Sequence, residues 1–250
     1  MSENLRKLEG KVALATGGSR GIGAAIAKRL AADGAGVAIT YSSAKEKADE
    51  VIRSIELAGG RALAIQADNN DPEAVKNAVI KTVKSFDGLD VLVNNAGIAV
   101  FKPLDEISID EFDRTVAVNV RAVFIASQEA SRHMKEGGRI ITIGSTNADR
   151  MPVVGGTIYG MSKAAVAGLT RGLARDLGPR GITVNVVQPG PVDTDMNPAN
   201  GPFAEMLKPM LAIKRYSEAH EVAAMVSYLA SDEAAYVTGA ALTIDGGFAV

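Results

Sequence analysis

Short apolar runs alternate with longer segments of helical periodicity along this chain, and this alternation restricts the fold more than any other feature. The segment after the first run carries Ile22, Ile26 and Leu30 at the four-residue spacing of one helical face. Strands that alternate with helices form a parallel sheet covered on both faces. The sequence therefore predicts a single-domain α/β fold with a doubly wound, seven-stranded parallel sheet. The predicted strands are residues 12–16, 36–40, 62–66, 89–93, 139–143, 182–187 and 241–244.

Length and composition predict one domain over residues 1–250, because the chain is long enough for a large core and no Pro/Ser-rich linker divides it. The net charge of -2 argues against a nucleic-acid partner. The polar N-terminus lacks the apolar core of a signal peptide, and no apolar run is long enough to predict a membrane span. The absence of cysteine excludes disulfides and thiol nucleophiles, and it fits a cytoplasmic protein. No cluster of His, Asp or Glu has metal-ligand spacing, so we predict no metal site.

A glycine-rich loop follows the first predicted strand directly and opens a predicted helix. Glycines let the backbone turn tightly and approach a pyrophosphate, while the helix offers free N–H groups and the positive end of its dipole. The order of strand, loop and helix therefore predicts a dinucleotide site. The predicted binding residues of this loop are Gly17, Ser19, Arg20, Gly21, Ile22 and Gly23.

The end of the second predicted strand indicates which dinucleotide is bound. A site for NAD usually has an acidic residue there, which binds the ribose hydroxyls. This chain instead has Tyr41, Ser42 and Ser43, with Arg20 in the glycine loop and Lys45 shortly after the strand. Because a guanidinium matches the geometry of a phosphate, Arg20 and Ser42 predict that NADPH/NADP+ is preferred to NADH. The alternative is that Arg20 points into solvent.

Polar residues also follow the third and fourth predicted strands, at the sheet edge where ligands bind in folds of this class. Asp68, next to Asn69, is the candidate acceptor for the adenine amino group. Asn95, Ala96 and Gly97 are predicted to line the cofactor and to brace the neighbouring strand. For the Asn-Asn pair at this point a purely structural role is the alternative.

The candidate catalytic residues include Tyr159 and Lys163, which lie four residues apart near the start of a predicted helix and so share one face. A nearby ammonium favours the phenolate of a tyrosine, which suits Tyr159 to acid–base chemistry. Ser145 follows the fifth predicted strand, where it can donate a hydrogen bond to a substrate oxygen. Asn119 lies in a helical stretch, residues 108–134, that we expect to be broken near its middle. It holds a water linked to Lys163, marks a helix distortion satisfied by backbone groups, or does both.

These motifs together resemble the short-chain dehydrogenase/reductase family. The match extends from about residue 8 to residue 250 and includes TGGSRGIG, NNAG, the Asn of AVNV, Ser145, YGMSK and residues 188–194. The resemblance implies a Rossmann-type sheet, a homotetramer, and a cofactor half at about residues 8–145. Residues 145–250 would then hold the catalytic helix, a lid and oligomer contacts. It also implies a catalytic tetrad of Asn119, Ser145, Tyr159 and Lys163.

The same resemblance assigns further cofactor contacts. Tyr159 and Lys163 would both adjoin the cofactor, with Lys163 on the nicotinamide ribose. Thr194 would contact the nicotinamide carboxamide, and the loop with Pro189, Gly190 and Val192 would lie beneath the ring. The usual family spacing from the serine to the tyrosine would select Thr146. Alignment through the fifth strand selects Ser145, which we prefer, with Thr146 as the alternative.

The resemblance implies NADPH-dependent reduction of a ketone or aldehyde, with Tyr159 as proton donor. Within the family the chain resembles the branch of 3-oxoacyl-(acyl-carrier-protein) reductase-like proteins and carbonyl reductases. A reductase that acts on an acidic carrier protein benefits from basic residues near its cleft. Arg180 matches one such position, but the charges near Lys135 are mixed, which argues mildly against a carrier-protein substrate. The alternative function is a cyclic-dinucleotide-binding sensor on the same fold, although the intact tetrad favours an enzyme. Residues 146–157 and an apolar, mobile lid at 196–213 are the expected walls of the substrate pocket.

Overall fold

The computed structural model describes residues 6–250 and contains one seven-stranded sheet. All neighbouring strands are parallel, and their order across the sheet is β3-β2-β1-β4-β5-β6-β7. The predicted parallel sheet is therefore confirmed. The strands are β1 (Val12–Ala15), β2 (Gly36–Tyr41), β3 (Arg61–Gln66), β4 (Val91–Asn94), β5 (Arg139–Ile143), β6 (Thr183–Pro189) and β7 (Ala241–Ile244).

Helices cover both faces of this sheet. They are α1 (Gly21–Ala32), α2 (Lys45–Leu57), α3 (Pro72–Phe86), α4 (Ile109–Val116), α5 (Ala122–His133), α6 (Thr157–Leu177), α7 (Ala204–Leu207) and α8 (Ala219–Ala230). Ala13 and Ala15 of β1 pack in one core with α1, α2 and α8, and Val12 and Leu14 pack in a second core with α3, α5 and α6. Because alternate strand residues point to opposite faces, the apolar run of β1 supplies both cores.

The middle of the predicted helical stretch at residues 108–134 is distorted, as expected. Ser108 begins α4 through a capping box with Glu111. After α4 the turn Ala117–Arg121 is a π-helix, and α5 follows without a loop. A π turn carries one extra residue, so it changes the direction in which its side chains point. Asn119 lies within this turn.

The order of the strands determines where a ligand can bind. β1 has β2 on one side and β4 on the other, so the direction of winding reverses at the carboxyl ends of β1 and β4. In open α/β sheets this switch point is where ligands bind. The glycine-rich loop follows β1, and the segment Asn95–Gly97 follows β4. The fold thus brings together the residues that the sequence marked as candidates for cofactor binding.

The sequence predicts that the polar N-terminus is not a signal peptide and that the chain has no membrane span. Residues 1–5 of that N-terminus lie outside the described residues. Within residues 6–250, no helix combines the length and the apolar character that crossing a membrane requires.

Candidate active site

A cavity of about 470 Å³ lies at the carboxyl ends of the central strands. The structure brings all the predicted cofactor-binding residues to its wall, from the glycine-rich loop to Thr194. Of the four predicted catalytic residues, Ser145, Tyr159 and Lys163 line the cavity, and Asn119 lies behind the wall. Met196 and Asn197, from the start of the predicted lid, also line the cavity. Other wall residues were not marked by the sequence analysis, among them Thr40, Ile98, Arg114, Val118 and Asp195.

The glycine-rich loop turns so tightly that larger residues would collide. A Cβ atom on Gly23 would lie 2.3 Å from the carbonyl oxygen of Gly17. Gly17 has a φ of +64°, and a Cβ there would lie 2.9 Å from the Cα of Ala96. A Cβ on Gly21 would lie 3.4 Å from Cγ2 of Thr194. The loop therefore packs closely against the segment after β4 and contacts Thr194 after β6. Its backbone also lines the cavity at the start of α1, where free N–H groups suit a pyrophosphate.

Asn94 and Asn95, at the end of β4, make structural hydrogen bonds, and a structural role was the alternative considered for this pair. Asn95 Nδ2 donates to the carbonyl oxygens of Thr16 and Gly17 at 2.9 and 3.1 Å. Its backbone N–H donates to the hydroxyl of Thr16 at 3.0 Å. Asn94 is buried and donates to Ser127 Oγ at 3.2 Å. Asn95 thus ties β1 to β4 at the switch point while it also lines the cavity.

At the end of β2 the cavity wall is formed by Tyr41, Ser42 and Ser43, without an acidic residue. Arg20 lies on the same wall. Lys45 is instead paired with Asp49 on α2, at 2.5 Å. The second cation near Arg20 is Lys47, which the sequence analysis did not mark, because nothing in the sequence distinguishes it from its neighbours. Lys47 contacts Asp195, a residue 148 positions away.

The catalytic candidates on α6 lie in its first two turns. Lys163 Nζ donates to the carbonyl oxygen of Ile143, at the end of β5, over 2.9 Å. The same nitrogen lies 5.7 Å from the ring centroid of Tyr159. Ser145 follows β5 and lines the same cavity as Tyr159. A phenol, a hydroxyl and an ammonium therefore meet on one side of the cavity.

The structure distinguishes the positions of Ser145 and Thr146. Ser145 lines the cavity, and its Oγ also accepts the backbone N–H of Asn147 at 3.1 Å. Thr146 is buried, is not among the residues that line the cavity, and donates its hydroxyl proton to the carbonyl oxygen of Pro189 at 3.3 Å. A substrate oxygen in the cavity would therefore meet the hydroxyl of Ser145, which was the preferred candidate.

Asn119 uses its side chain to join three segments. Its Oδ1 accepts the backbone N–H of Ile98, and its Nδ2 donates to the Ile98 carbonyl oxygen, both at 2.9 Å. Nδ2 also donates to Ser162 Oγ on α6 at 3.0 Å. These contacts hold the π turn against α6 and against the segment after β4. They are positioning contacts, and the water link from Asn119 to Lys163 stays a prediction.

Burial controls the pKa values of the two groups on α6. Burial raises the pKa of Tyr159 above its ordinary value of 10.0, and the hydrogen bond with Ser145 lowers it by a smaller amount. Burial lowers the pKa of Lys163 from 10.5 to about 8. We expected the ammonium of Lys163 to favour the phenolate, but the loss of hydration determines the direction of the Tyr159 pKa shift instead. Tyr159 is therefore held as a neutral phenol, which is the form that can donate a proton.

Aromatic and apolar side chains lie around Tyr159 at the edge of the cavity. The ring of Phe101 lies 5.4 Å from that of Tyr159 and 6.4 Å from that of Phe203, measured between centroids. Phe203 and Met196, both about half exposed, belong to the segment predicted as a lid. That segment is irregular apart from α7 and one 3-10 turn, as predicted. Phe101 was not predicted; its only signal was an aromatic residue soon after the NNAG motif.

Metal-ligand chemistry was also considered at this site. In the part of the chain that the structure describes, no group of three or more His, Cys, Asp or Glu side chains is arranged to hold a metal ion.

Comparison with known proteins gives matches over nearly the whole chain. A family model described as enoyl-(acyl carrier protein) reductase matches residues 17–249. The cyclic-di-GMP-binding biofilm dispersal mediator protein of Escherichia coli is 52% identical over 96% of this chain and 97% of its own. Versicolorin reductase 1 of Aspergillus parasiticus is 43% identical over 99% of each chain. The crystal structure of a short-chain dehydrogenase from Burkholderia cenocepacia with NADP covers 98% of this chain and 100% of its own, with 56% identity and a TM-score of 0.97.

Proposed function

The chain belongs to the short-chain dehydrogenase/reductase family, and we propose that it uses NADPH to reduce a ketone or an aldehyde to an alcohol. One observation carries this proposal: Ser145, Tyr159 and Lys163 converge on a cavity whose other end is the glycine-rich loop. A protein that only binds nucleotides does not need a buried phenol beside a buried ammonium. The reductase relatives and the NADP in the Burkholderia structure support the same reading.

The cavity fits a dinucleotide on several grounds. The glycine-rich loop lines the cavity where α1 begins, so its backbone N–H groups can bind a pyrophosphate. Arg20 and Ser42 lie on the wall where a 2′-phosphate would be bound, and no acid occupies the end of β2. Asp68 and Asn69 line the adenine end. When bound, the reduced nicotinamide supplies a hydride to the carbonyl carbon.

The residues of the chain perform the remaining steps. Ser145 and Tyr159 donate hydrogen bonds to the substrate oxygen, which stabilises the negative charge that develops there. Tyr159 transfers its proton to that oxygen, so the product is a neutral alcohol and the phenolate remains. The Lys163 ammonium stabilises this phenolate, which then regains a proton from water. The elevated pKa of Tyr159 keeps the donating form populated before each reaction.

The pocket walls favour a small or medium carbonyl compound with apolar or aromatic groups. Phe101 packs beside Tyr159, Phe203 packs beside Phe101, and Met196 adds a flexible apolar surface to the cavity wall. Arg180, the basic residue that matched a carrier-protein position, donates to the carbonyl oxygens of Ser131 and Met134 at 2.7 and 3.0 Å. Because this guanidinium is already engaged, we propose a free carbonyl substrate rather than an acyl carrier protein.

The test is a panel of ketones and aldehydes, with loss of NADPH absorbance as the readout. Replacing Ser145→Ala should reduce kcat/KM by about 100- to 1,000-fold, as removal of one donor to a developing oxyanion does. Thr146→Val is the matched control, because its hydroxyl bonds to Pro189. The control should keep turnover within about tenfold of the wild type. No turnover of any carbonyl by the wild type, or equal losses in both variants, would contradict the proposal.

A second candidate function is the binding of a cyclic dinucleotide. The observation that favours it is the similarity to the Escherichia coli biofilm dispersal mediator protein, which is described as cyclic-di-GMP-binding. Arg20 and Arg114 on the cavity wall would suit the phosphates of such a ligand. Calorimetric titration with cyclic-di-GMP, with and without NADPH, separates the two functions. Tight binding of cyclic-di-GMP together with no turnover of any carbonyl would replace the reductase proposal.

We also propose that the protein forms a homotetramer, as the resemblance implied. Large apolar side chains are exposed on and just before α4 and on α5: Leu104, Ile109, Phe112 and Phe124. Exposed apolar surface of this kind usually marks a protein–protein interface. Phe248, near the C-terminus, is not part of this exposed surface, because it is buried within its own chain beside Leu211 and Tyr216.

A further inference from the structure

Asp195 links the start of the lid to the glycine-rich loop and to α2. It follows Thr194 at the start of the lid, yet its Oδ2 lies 2.9 Å from Lys47 Nζ on α2. The same oxygen lies 3.9 Å from Arg20 Nη1 in the glycine-rich loop. Arg20 and Asp195 both line the cavity. All three side chains are about half exposed, so they are accessible to a ligand that enters.

The ion pairs that the structure records for Arg20 and Lys47 are both with Asp195, within the described residues. These two cations are positioned to bind a phosphate at the end of β2. A phosphate carries more negative charge than a carboxylate and can bind a guanidinium through two parallel hydrogen bonds. Ion pairs as exposed as these are weak, because water and salt screen them. A phosphate can therefore displace Asp195, but it must first overcome that attraction.

We propose that Asp195 is a specificity-determining residue that competes with the 2′-phosphate of NADPH for Arg20 and Lys47. This inference rests on the proposed use of NADPH. Without the phosphate, Asp195 neutralises part of the positive charge at the cavity mouth. When the phosphate binds, Asp195 is displaced, and the start of the lid loses its attachment to α2. The carboxylate therefore reduces the affinity for NADPH and has little effect on the affinity for NADH, which lacks the phosphate.

The experiment compares Asp195→Asn with Glu46→Gln. Glu46 is exposed in the first turn of α2, and the structure records no ion pair between it and Arg20 or Lys47. Both variants remove one negative charge near the cavity mouth. Dissociation constants for NADPH and NADH are measured by nicotinamide fluorescence at low and high salt. Asp195→Asn should tighten NADPH binding by about 2- to 10-fold at low salt, the range for loss of two exposed ion pairs.

Three further results are expected of the same measurement. Asp195→Asn should leave NADH binding unchanged, and Glu46→Gln should change neither constant. The gain in NADPH affinity should shrink at high salt. In a Lys47→Ala background, the effect of Asp195→Asn should be smaller, because one of the two cations is gone.

The outcomes separate this inference from the proposed function. If the wild type binds NADPH, but Asp195→Asn leaves that affinity unchanged or weakens it, the competitor role is overturned and the proposed function stands. Equal tightening for NADH, or an equal effect of Glu46→Gln, also overturns it, because the effect would be one of general charge. If the wild type does not bind NADPH, both the proposed function and this inference fail.

Discussion

Lys163 is a buried cation whose main recorded polar contact is a neutral carbonyl oxygen, that of Ile143. Burial without an anionic partner penalises the charged form, which explains why its pKa falls to about 8. The same burial raises the pKa of Tyr159. The two shifts bring a neutral proton donor and a readily deprotonated amine together on one helix. This pairing suits a proton transfer near neutral pH.

The lowered pKa of Lys163 predicts a pH-dependent effect on stability. Below about pH 8 the lysine is protonated in both states, and the folded protein bears the cost of burying the charge. Between about pH 8 and 10.5 the unfolded chain keeps a proton that the folded protein has lost, so the stability of the wild type rises relative to a variant without this lysine. The shift of about 2.5 units corresponds to about 3 kcal/mol as an upper limit.

Urea unfolding of the wild type and of Lys163→Met at about pH 7 and about pH 11 measures this effect, because other titrating groups cancel in the difference. The wild type should gain up to about 3 kcal/mol relative to the variant at the higher pH. A difference that does not change with pH would show that the lysine is not desolvated in the folded protein.

At this scale the sequence predicted residue types and positions better than their electrostatic effects. The i, i+4 spacing placed Tyr159 and Lys163 on one helical face, and the strand alignment favoured Ser145 over Thr146. The direction of the Tyr159 pKa shift depends on burial, which has no local signal in the sequence. The contact of Lys47 with Asp195 joins residues 148 positions apart, and the sequence offers no pattern for it.

Among the elements, the segment that runs from α4 through the π turn to α5 helps to position α6, which carries Tyr159 and Lys163. The π turn directs Asn119 towards Ile98 and Ser162, so the helix pair, the segment after β4 and α6 are joined by one amide. A buried polar group that loses its hydrogen-bond partner destabilises the fold by more than the hydrogen bond itself contributes to stability. The stability of the site therefore depends on this one side chain.

Replacing Asn119→Ala should lower the free energy of unfolding by about 2–4 kcal/mol, because both polar groups of the Ile98 backbone lose their partner. Ser162→Ala is the control: it removes one contact of Asn119 and the hydroxyl bond to the Tyr159 carbonyl oxygen. Its cost should be smaller, about 1–2 kcal/mol. Urea unfolding measures both. An equal or larger loss in the serine variant would contradict the role assigned to the amide.

The helices and strands were predictable because their hydrophobic periods are regular. The predicted bounds of β5 and β7 agree with the structure. Asp71 caps α3, which has Pro72 in its first turn. The fourth and sixth strands begin one or two residues later than predicted. Apolar residues that precede a strand extend the pattern without forming ladder bonds. The predicted break near Asn119 was confirmed, but its π geometry was not predictable from a single polar residue.

In the whole molecule, the two cores on either face of the sheet leave some large apolar side chains uncovered, among them a group near α4 and α5. This surface lies on and just before α4 and on α5, and Ile109 there is 74% exposed. Helices that pack on the sheet with one face and carry apolar residues on the other suit association with a second copy. The strand order and the layering were predictable from the alternation of elements. The subunit arrangement was implied only by the family resemblance.

The proposed tetramer predicts that a charge on this surface weakens assembly. Phe124→Glu, on α5, should shift the protein towards smaller species in sedimentation velocity, because it buries an unpaired charge at the interface. Leu57→Glu is the control, because Leu57 is 83% exposed at the end of α2, away from this surface. A wild type that sediments as a monomer, or equal behaviour of the two variants, would contradict the proposed assembly.

The account as a whole depends on the phenol of Tyr159 as the proton donor. The most direct test is to measure NADPH affinity and carbonyl turnover in Tyr159→Phe, with Tyr228→Phe as the control at an exposed tyrosine on α8. We predict that Tyr159→Phe binds NADPH as the wild type does and that its turnover falls by about 100- to 10,000-fold, while the control is unaffected. A Tyr159→Phe variant that keeps most of its turnover would contradict the central claim.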